Sequence, residues 1–228
     1  MNLKICLLVI GGLLSDQGLL AQVRLGVKAG VNLATLTFDN PTLNATQQAR
    51  IDFQGGFVVD VPLTRKLSLQ PALVISTKGT QINTFAIDSS RNPIATPITN
   101  SIKLLYVELP LLALFRFDVS SSLRLYGGLG PYLGVGLGGR ISSTFAPLGE
   151  REVVFGSGAV GSNSFRRFDY GVSGAAGLEW HGLMVGVTYG YGLADLGSAL
   201  AKSYHRPIGI SVGFWLNRSS TNRSEGTR

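Results

Sequence analysis

The sequence predicts an all-β fold, an eight-stranded antiparallel up-and-down transmembrane β-barrel preceded by a cleaved signal peptide. Three observations predict it. Apolar and small or polar residues alternate with period two in eight separate segments. The connections between those segments alternate between long and short. Only 14% of the 228 residues are charged and the mean hydropathy is +0.26, where about a quarter of residues are charged in a soluble domain. After the N-terminus no stretch approaches the roughly 18 apolar residues a spanning helix needs, so any crossing is made by strands.

The N-terminus carries Lys4, then an apolar run from Ile5 to Leu14, then Leu19-Leu20-Ala21-Gln22. This is the pattern of a secretory signal at residues 1–21, cleaved after Ala21. The single cysteine, Cys6, leaves with it, so the mature chain is expected to hold no disulfide and no thiolate-bound metal. The barrel is expected over residues 22–216 and a polar tail over 217–228.

The strands follow in order. From Val23 to Leu33, Val23, Leu25, Val27, Ala29, Val31 and Leu33 alternate with Arg24, Gly26, Lys28, Gly30 and Asn32. The same split recurs from Phe53 to Leu63, Leu67 to Thr77 and Leu105 to Phe117. It is clearest from Leu123 to Arg140, where leucines alternate with Arg124, Tyr126, Tyr132, Arg140 and a run of glycines. Phe168 to Trp180, Leu183 to Leu193 and Ile208 to Leu216 complete the eight. Long loops are expected near Thr37 to Arg50, Ala86 to Asn100, Ser142 to Arg167 and Asp195 to Arg206, and short turns at Thr64 to Lys66, Asp118 to Ser122 and His181-Gly182. Short periplasmic turns and longer extracellular loops mark an outer-membrane barrel, with both termini periplasmic.

Which face points outward separates two barrels. A soluble barrel holds its Leu/Val face inside and shows water a face rich in charged residues. Here the opposite face is mostly glycine with a few charges, a suitable lining for a narrow lumen, so the apolar face meets lipid. Closure is then required, because an open sheet edge in hydrocarbon leaves backbone groups unpaired. Phe115, Phe117, Phe168, Tyr170, Trp180, Tyr189, Tyr191 and Phe214 share the outward parity, as interfacial girdles require.

Several strands resemble the PorT-type outer-membrane β-barrel proteins of Bacteroidetes, a porin-like family of small eight-stranded barrels. The residues that carry the resemblance are Gly26-Val27-Lys28-Ala29-Gly30-Val31-Asn32-Leu33, Tyr106-Val107-Glu108-Leu109-Pro110-Leu111-Leu112, Gly128-Leu129-Gly130-Pro131-Tyr132-Leu133, and Asp169-Tyr170-Gly171 leading to Gly177-Leu178-Glu179. The resemblance implies an outer-membrane location and a link to envelope or secretion-machinery proteins. The chain departs from the usual barrel ending by continuing past Leu216 into the polar tail.

Parity directs Arg24, Lys28, Asp60, Glu108, Arg116, Arg124, Arg140, Asp169 and Glu179 into the lumen. An eight-stranded barrel is just wide enough for side chains to fill, so mixed charges there are expected to pair as an internal plug. Catalytic chemistry has few candidates. His181 falls in a turn, and Ser203 with His205 forms one local pair that lacks an orienting acid in the sequence nearby. No enzymatic activity, catalytic site, cofactor or metal is expected. The net charge of +7 is scattered, without the aromatic interleaving of nucleic-acid binders, and outer-membrane lipids and lipopolysaccharide are the expected counter-charge. The expected role is structural or interactive, by a monomeric barrel presenting extracellular loops, Ser142 to Arg167 foremost. A small pore or uptake porin is the alternative, and a lipid-modifying hydrolase a third reading.

Overall fold

A computed structural model describes residues 23–34, 36–38, 46–87, 93–144, 149–156, 164–196 and 203–217. The signal peptide expected at 1–21 and the tail after Asn217 lie outside them. Eight long strands form the fold: β1 (Arg24–Ala34), β2 (Arg50–Pro62), β3 (Leu67–Ile87), β4 (Pro93–Asp118), β5 (Leu123–Ser143), β6 (Phe168–Trp180), β7 (Leu183–Gly192) and β8 (Ile208–Trp215). Each pairs antiparallel with its sequence neighbours, and β1 pairs with β8 from Gly26↔Trp215 to Leu33↔Ile208, which closes the ring. No sheet edge is left in the membrane, so the backbone is satisfied by strands alone.

The seam is held at its short-turn end by Asn217, the first residue of the expected tail. Its Oδ1 accepts the Leu25 N–H at 2.6 Å, and its Nδ2 donates to the Val23 carbonyl at 2.8 Å. At the same end β6 turns into β7 through His181-Gly182, both in the left-handed region with φ of 49° and 91°. This is the two-residue geometry that matches the twist of a hairpin.

Side chains sort by parity as strand geometry requires. Outward stand Leu25, Val27, Val31, Phe57, Ile75, Leu109, Leu129, Leu133, Val187, Ile210 and Val212, each well exposed, so the apolar surface faces lipid and not a core. All eight aromatics assigned to girdles are exposed. Phe115, Phe117, Trp180 and Phe214 lie toward the short-turn end, and Phe168, Tyr170, Tyr189 and Tyr191 toward the long-loop end. Inside, glycine makes room for large rings. A Cβ at Gly26 would sit 2.8 Å from the Trp215 ring, and one at Gly177 or Gly186 would collide with Tyr126.

The long connections differ most from expectation. Much of the expected loop near Ala86 to Asn100 is strand, since β3 runs to Ile87 and β4 starts at Pro93. β3, β4 and β5, of 21, 26 and 21 residues, exceed the roughly 10 that a tilted spanning strand needs. They project as a sheet past the long-loop end of the barrel. Thr46–Gln48 adds to β3 and Glu150–Glu152 to β5. Val154–Phe155 pairs parallel with Ser164–Phe165, and Leu36–Phe38 antiparallel with Ser203–His205. Ile102, Leu104, Tyr106 and Phe165, with Ile82, Ile141, Val153 and Phe155 against them, give the projecting part an apolar core of its own.

Candidate functional site

The lumen is the first place to look for chemistry, and charge fills it in two layers. Near the short turns, Arg24 of β1 holds Asp60 of β2 through two N–H groups, at 3.0 and 3.1 Å, and also pairs with Glu179 of β6. Arg116 of β4 takes the other oxygen of Asp60, and the Arg24 guanidinium lies 4.3 Å from the Trp215 ring centre. Bidentate and forked contacts suit guanidinium geometry and satisfy the buried carboxylates from several strands at once.

Toward the long loops, Lys78 of β3 pairs with Glu108 of β4 and with Asp169 of β6, the latter at 3.2 Å. The Tyr132 hydroxyl donates to Asp169 at 3.2 Å, and His205 Nδ1 is 3.0 Å from the other Asp169 oxygen. His205 also packs edge-on against Tyr106, with ring centres 5.5 Å apart. Ser203–His205 lies beyond the barrel strands, and burial holds the His205 imidazole below its ordinary pKa although Asp169 opposes that shift.

Lys28 stands between the layers and lines a cavity of about 60 Å³ with Asn32, Gln54, Ser76 and Thr188. Among the described residues, Arg24, Lys78 and Arg116 thus pair with Asp60, Glu108, Asp169 and Glu179, Arg50 pairs with Asp52, and Lys28 lies among them without a salt bridge, so the lumen interior is close to neutral. Pairing of this kind is what a closed, low-dielectric interior demands, since an unpaired buried charge costs several kcal/mol.

Seven of the nine residues that parity directs inward lie in this lumen. Two do not. Arg124 sits at the open mouth of the short-turn end, half exposed, and donates to Asp118 at 2.6 Å. Arg140 points outward to Glu150, at 3.1 Å. The cause is a bulge: Leu105 faces Gly138 whereas Tyr106 faces Gly136, so one extra residue in β5 reverses the parity beyond Leu137. Gly139, not Arg140, therefore meets Leu104 inside.

Sequence reasoning missed two lumen residues for a common reason. Lys78 and Asp52 each fall one residue outside the strand limits read from hydropathy, at Thr77 and Phe53. Continuing the inward parity of Ser68, Ala72, Val74 and Ser76 would have included Lys78, and that of Asp60 would have included Asp52. Asp52 is buried beside Arg50, at 3.5 Å. His205 has the orienting acid that its neighbourhood in the sequence lacks, because folding brings Asp169 to it from 36 residues away. The Ser203 side chain lies outside the described residues. His181, the other candidate, stacks edge-on against Trp180 in the exposed turn.

A second kind of surface lies on the outside of the long-loop end. Arg166 and Arg167, both exposed, line an open cavity of about 520 Å³ together with Phe155, Gly156, Phe168, Tyr170, Ala194 and Asp195. Their backbone is fixed on both sides: the Arg167 carbonyl accepts the Gly136 N–H at 2.7 Å, and the Arg166 N–H reaches the Leu196 carbonyl at 3.4 Å.

A closed ring of eight antiparallel strands, with lipid-facing leucines outside and paired charges inside, defines a small transmembrane β-barrel. The chain belongs to the outer membrane protein beta-barrel domain family, whose model matches residues 16–197, and its place is the outer membrane. Among solved structures it is similar to the attachment invasion locus protein Ail of Yersinia pestis in complex with the heparin analogue sucrose octasulfate. That likeness has 14% identity over 85% of this chain and 99% of Ail, with a TM-score of 0.40. It is also similar to Neisserial surface protein A, with 15% identity over 83% of this chain and 96% of that one, and a TM-score of 0.41. Among curated proteins, none matches the chain.

Proposed function

We propose that this protein is a non-enzymatic structural or interaction component of the outer membrane, a PorT-like barrel that offers its projecting sheet to envelope or secretion-machinery proteins outside the membrane. The observation that carries this reading is the extension of β3, β4 and β5 well past the lipid-facing band, with an apolar core and added short strands of its own. Strand beyond what the bilayer needs has no role in crossing it, and a rigid scaffold is what a binding surface uses. The other two readings fit the geometry less well. A pore needs an open lumen, and this one is filled by two layers of ion pairs. A hydrolase needs an accessible base, and His205 is buried against Asp169.

Gentle extraction of the native protein, followed by mass spectrometry of what accompanies it, tests the proposal. The expected result is an envelope protein at near-equal amount, lost when residues 79–102 of the projecting hairpin are replaced by a short turn while the barrel still forms. A barrel that emerges alone, or one whose partner survives that replacement, would refute it.

A further inference from the structure

Several cations of the long-loop end are already engaged. Arg50 and Arg140 are each engaged by a carboxylate, Asp52 and Glu150, and Arg206 lies 3.7 Å over the Tyr191 ring while donating to the Gly192 carbonyl. Arg166 and Arg167, unlike exposed Lys103, share a cavity. Neither has a carboxylate within 4.0 Å among the described residues, although both line one cavity. Among the described residues Asp195 is the single acid on its wall, against two arginines. An anion that enters this cavity can accept charge-assisted hydrogen bonds from the arginines that line it.

The rest of the wall says which anion. Phe168 and Tyr170 stand on the outward parity of β6 and are 68% and 51% exposed, at the upper edge of the surface that faces lipid. The cavity therefore opens at once toward the headgroup region, where the arginines are, and toward the acyl region, where the rings are. A soluble anion would use only the first part. A lipid with a phosphate on its headgroup uses both, with its chains covering rings that are otherwise bare. Backbone hydrogen bonds of Arg166 to Leu196 and of Gly136 to Arg167 fix the stretch of chain that carries the two side chains, so binding has only the side chains to order.

We infer that Arg166 and Arg167 form a binding site for the phosphate groups of a phosphorylated glycolipid in the outer leaflet, whose acyl chains lie over Phe168 and Tyr170. The site is centred on Arg166, Arg167 and the start of β6, borders the projecting part only through Phe155 and Gly156, and stands whether or not that part binds a protein.

The test places the full mature chain in phosphatidylcholine nanodiscs doped with bisphosphorylated lipid A and counts the lipid A molecules that stay with the barrel in native mass spectrometry. One retained lipid A is expected for the wild type. The double variant Arg166→Ala/Arg167→Ala should retain it at least about tenfold less, as loss of charge-assisted hydrogen bonds predicts. Arg166→Lys/Arg167→Lys should keep part of the binding, because charge remains while the forked geometry is lost. Lipid A stripped of its phosphates should not be retained by the wild type, an arm that decides the matter even if a variant fails to fold. Equal retention of the stripped lipid, or equal retention by the folded alanine variant, overturns the inference. Displacement by millimolar inorganic phosphate would also overturn it, by making the site one for a free anion.

Discussion

Asp169 is the residue on which the upper lumen converges. It takes Lys78, Tyr132 and His205 from three other segments of the chain, and removing its charge leaves Lys78 with Glu108 alone. Asp169→Asn should destabilise the folded barrel by about 3–5 kcal/mol, the usual cost of breaking one side of a buried ion pair. Urea unfolding in lipid vesicles measures it, and a change below about 1 kcal/mol would show that Asp169 is not a keystone of the cluster. Much of this cluster was legible in the sequence. Alternation alone placed Glu108 and Asp169 inside, because a strand has two faces and only one was apolar. What alternation could not supply was His205, whose partner depends on how a distant segment folds over the mouth, or Arg140, whose side is set by a bulge that leaves no mark on hydropathy.

The strands themselves were legible where the membrane writes its pattern and illegible beyond it. Within the bilayer one face is Leu, Val and Phe, and all eight spans follow from that. Past Thr77 in β3 the residues Thr80, Gln81, Ile82, Asn83 and Thr84 no longer separate into an apolar and a polar face, though threonine and isoleucine still favour extended backbone. The expected loop was drawn at the place where lipid stops, not where the strand stops. At the opposite end the β1–β8 seam reaches one residue into the expected tail. Asn217→Ala removes two hydrogen bonds to Val23 and Leu25 and should cost about 1–2 kcal/mol locally. Faster amide exchange at Leu25 and Leu216 is the expected sign, and unchanged protection there would mean that the seam holds without the clamp.

At the scale of the whole molecule, the barrel behaves as a solid post in the membrane. Its interior is charge-balanced and crossed by tyrosine, tryptophan and leucine side chains, with cavities of about 60 and 20 Å³ between the layers, each a small fraction of what a continuous channel requires. Reconstituted into a planar bilayer at neutral pH, the protein should show no unitary conductance steps. Steps of stable size, abolished by heat denaturation, would refute the closed lumen.

Arg24, Asp60, Arg116 and Glu179 come from β1, β2, β4 and β6, and the Arg24–Glu179 pair spans 155 residues. No early fragment of the sheet contains both halves of that arrangement. A chain that has formed only its first hairpins still carries bare charges on the surface destined for the inside, and hydrocarbon will not accept them. The Arg24–Glu179 pair thus ties the charge balance of the inward face to β6, and hydrocarbon should accept that face only after six of the eight strands have formed.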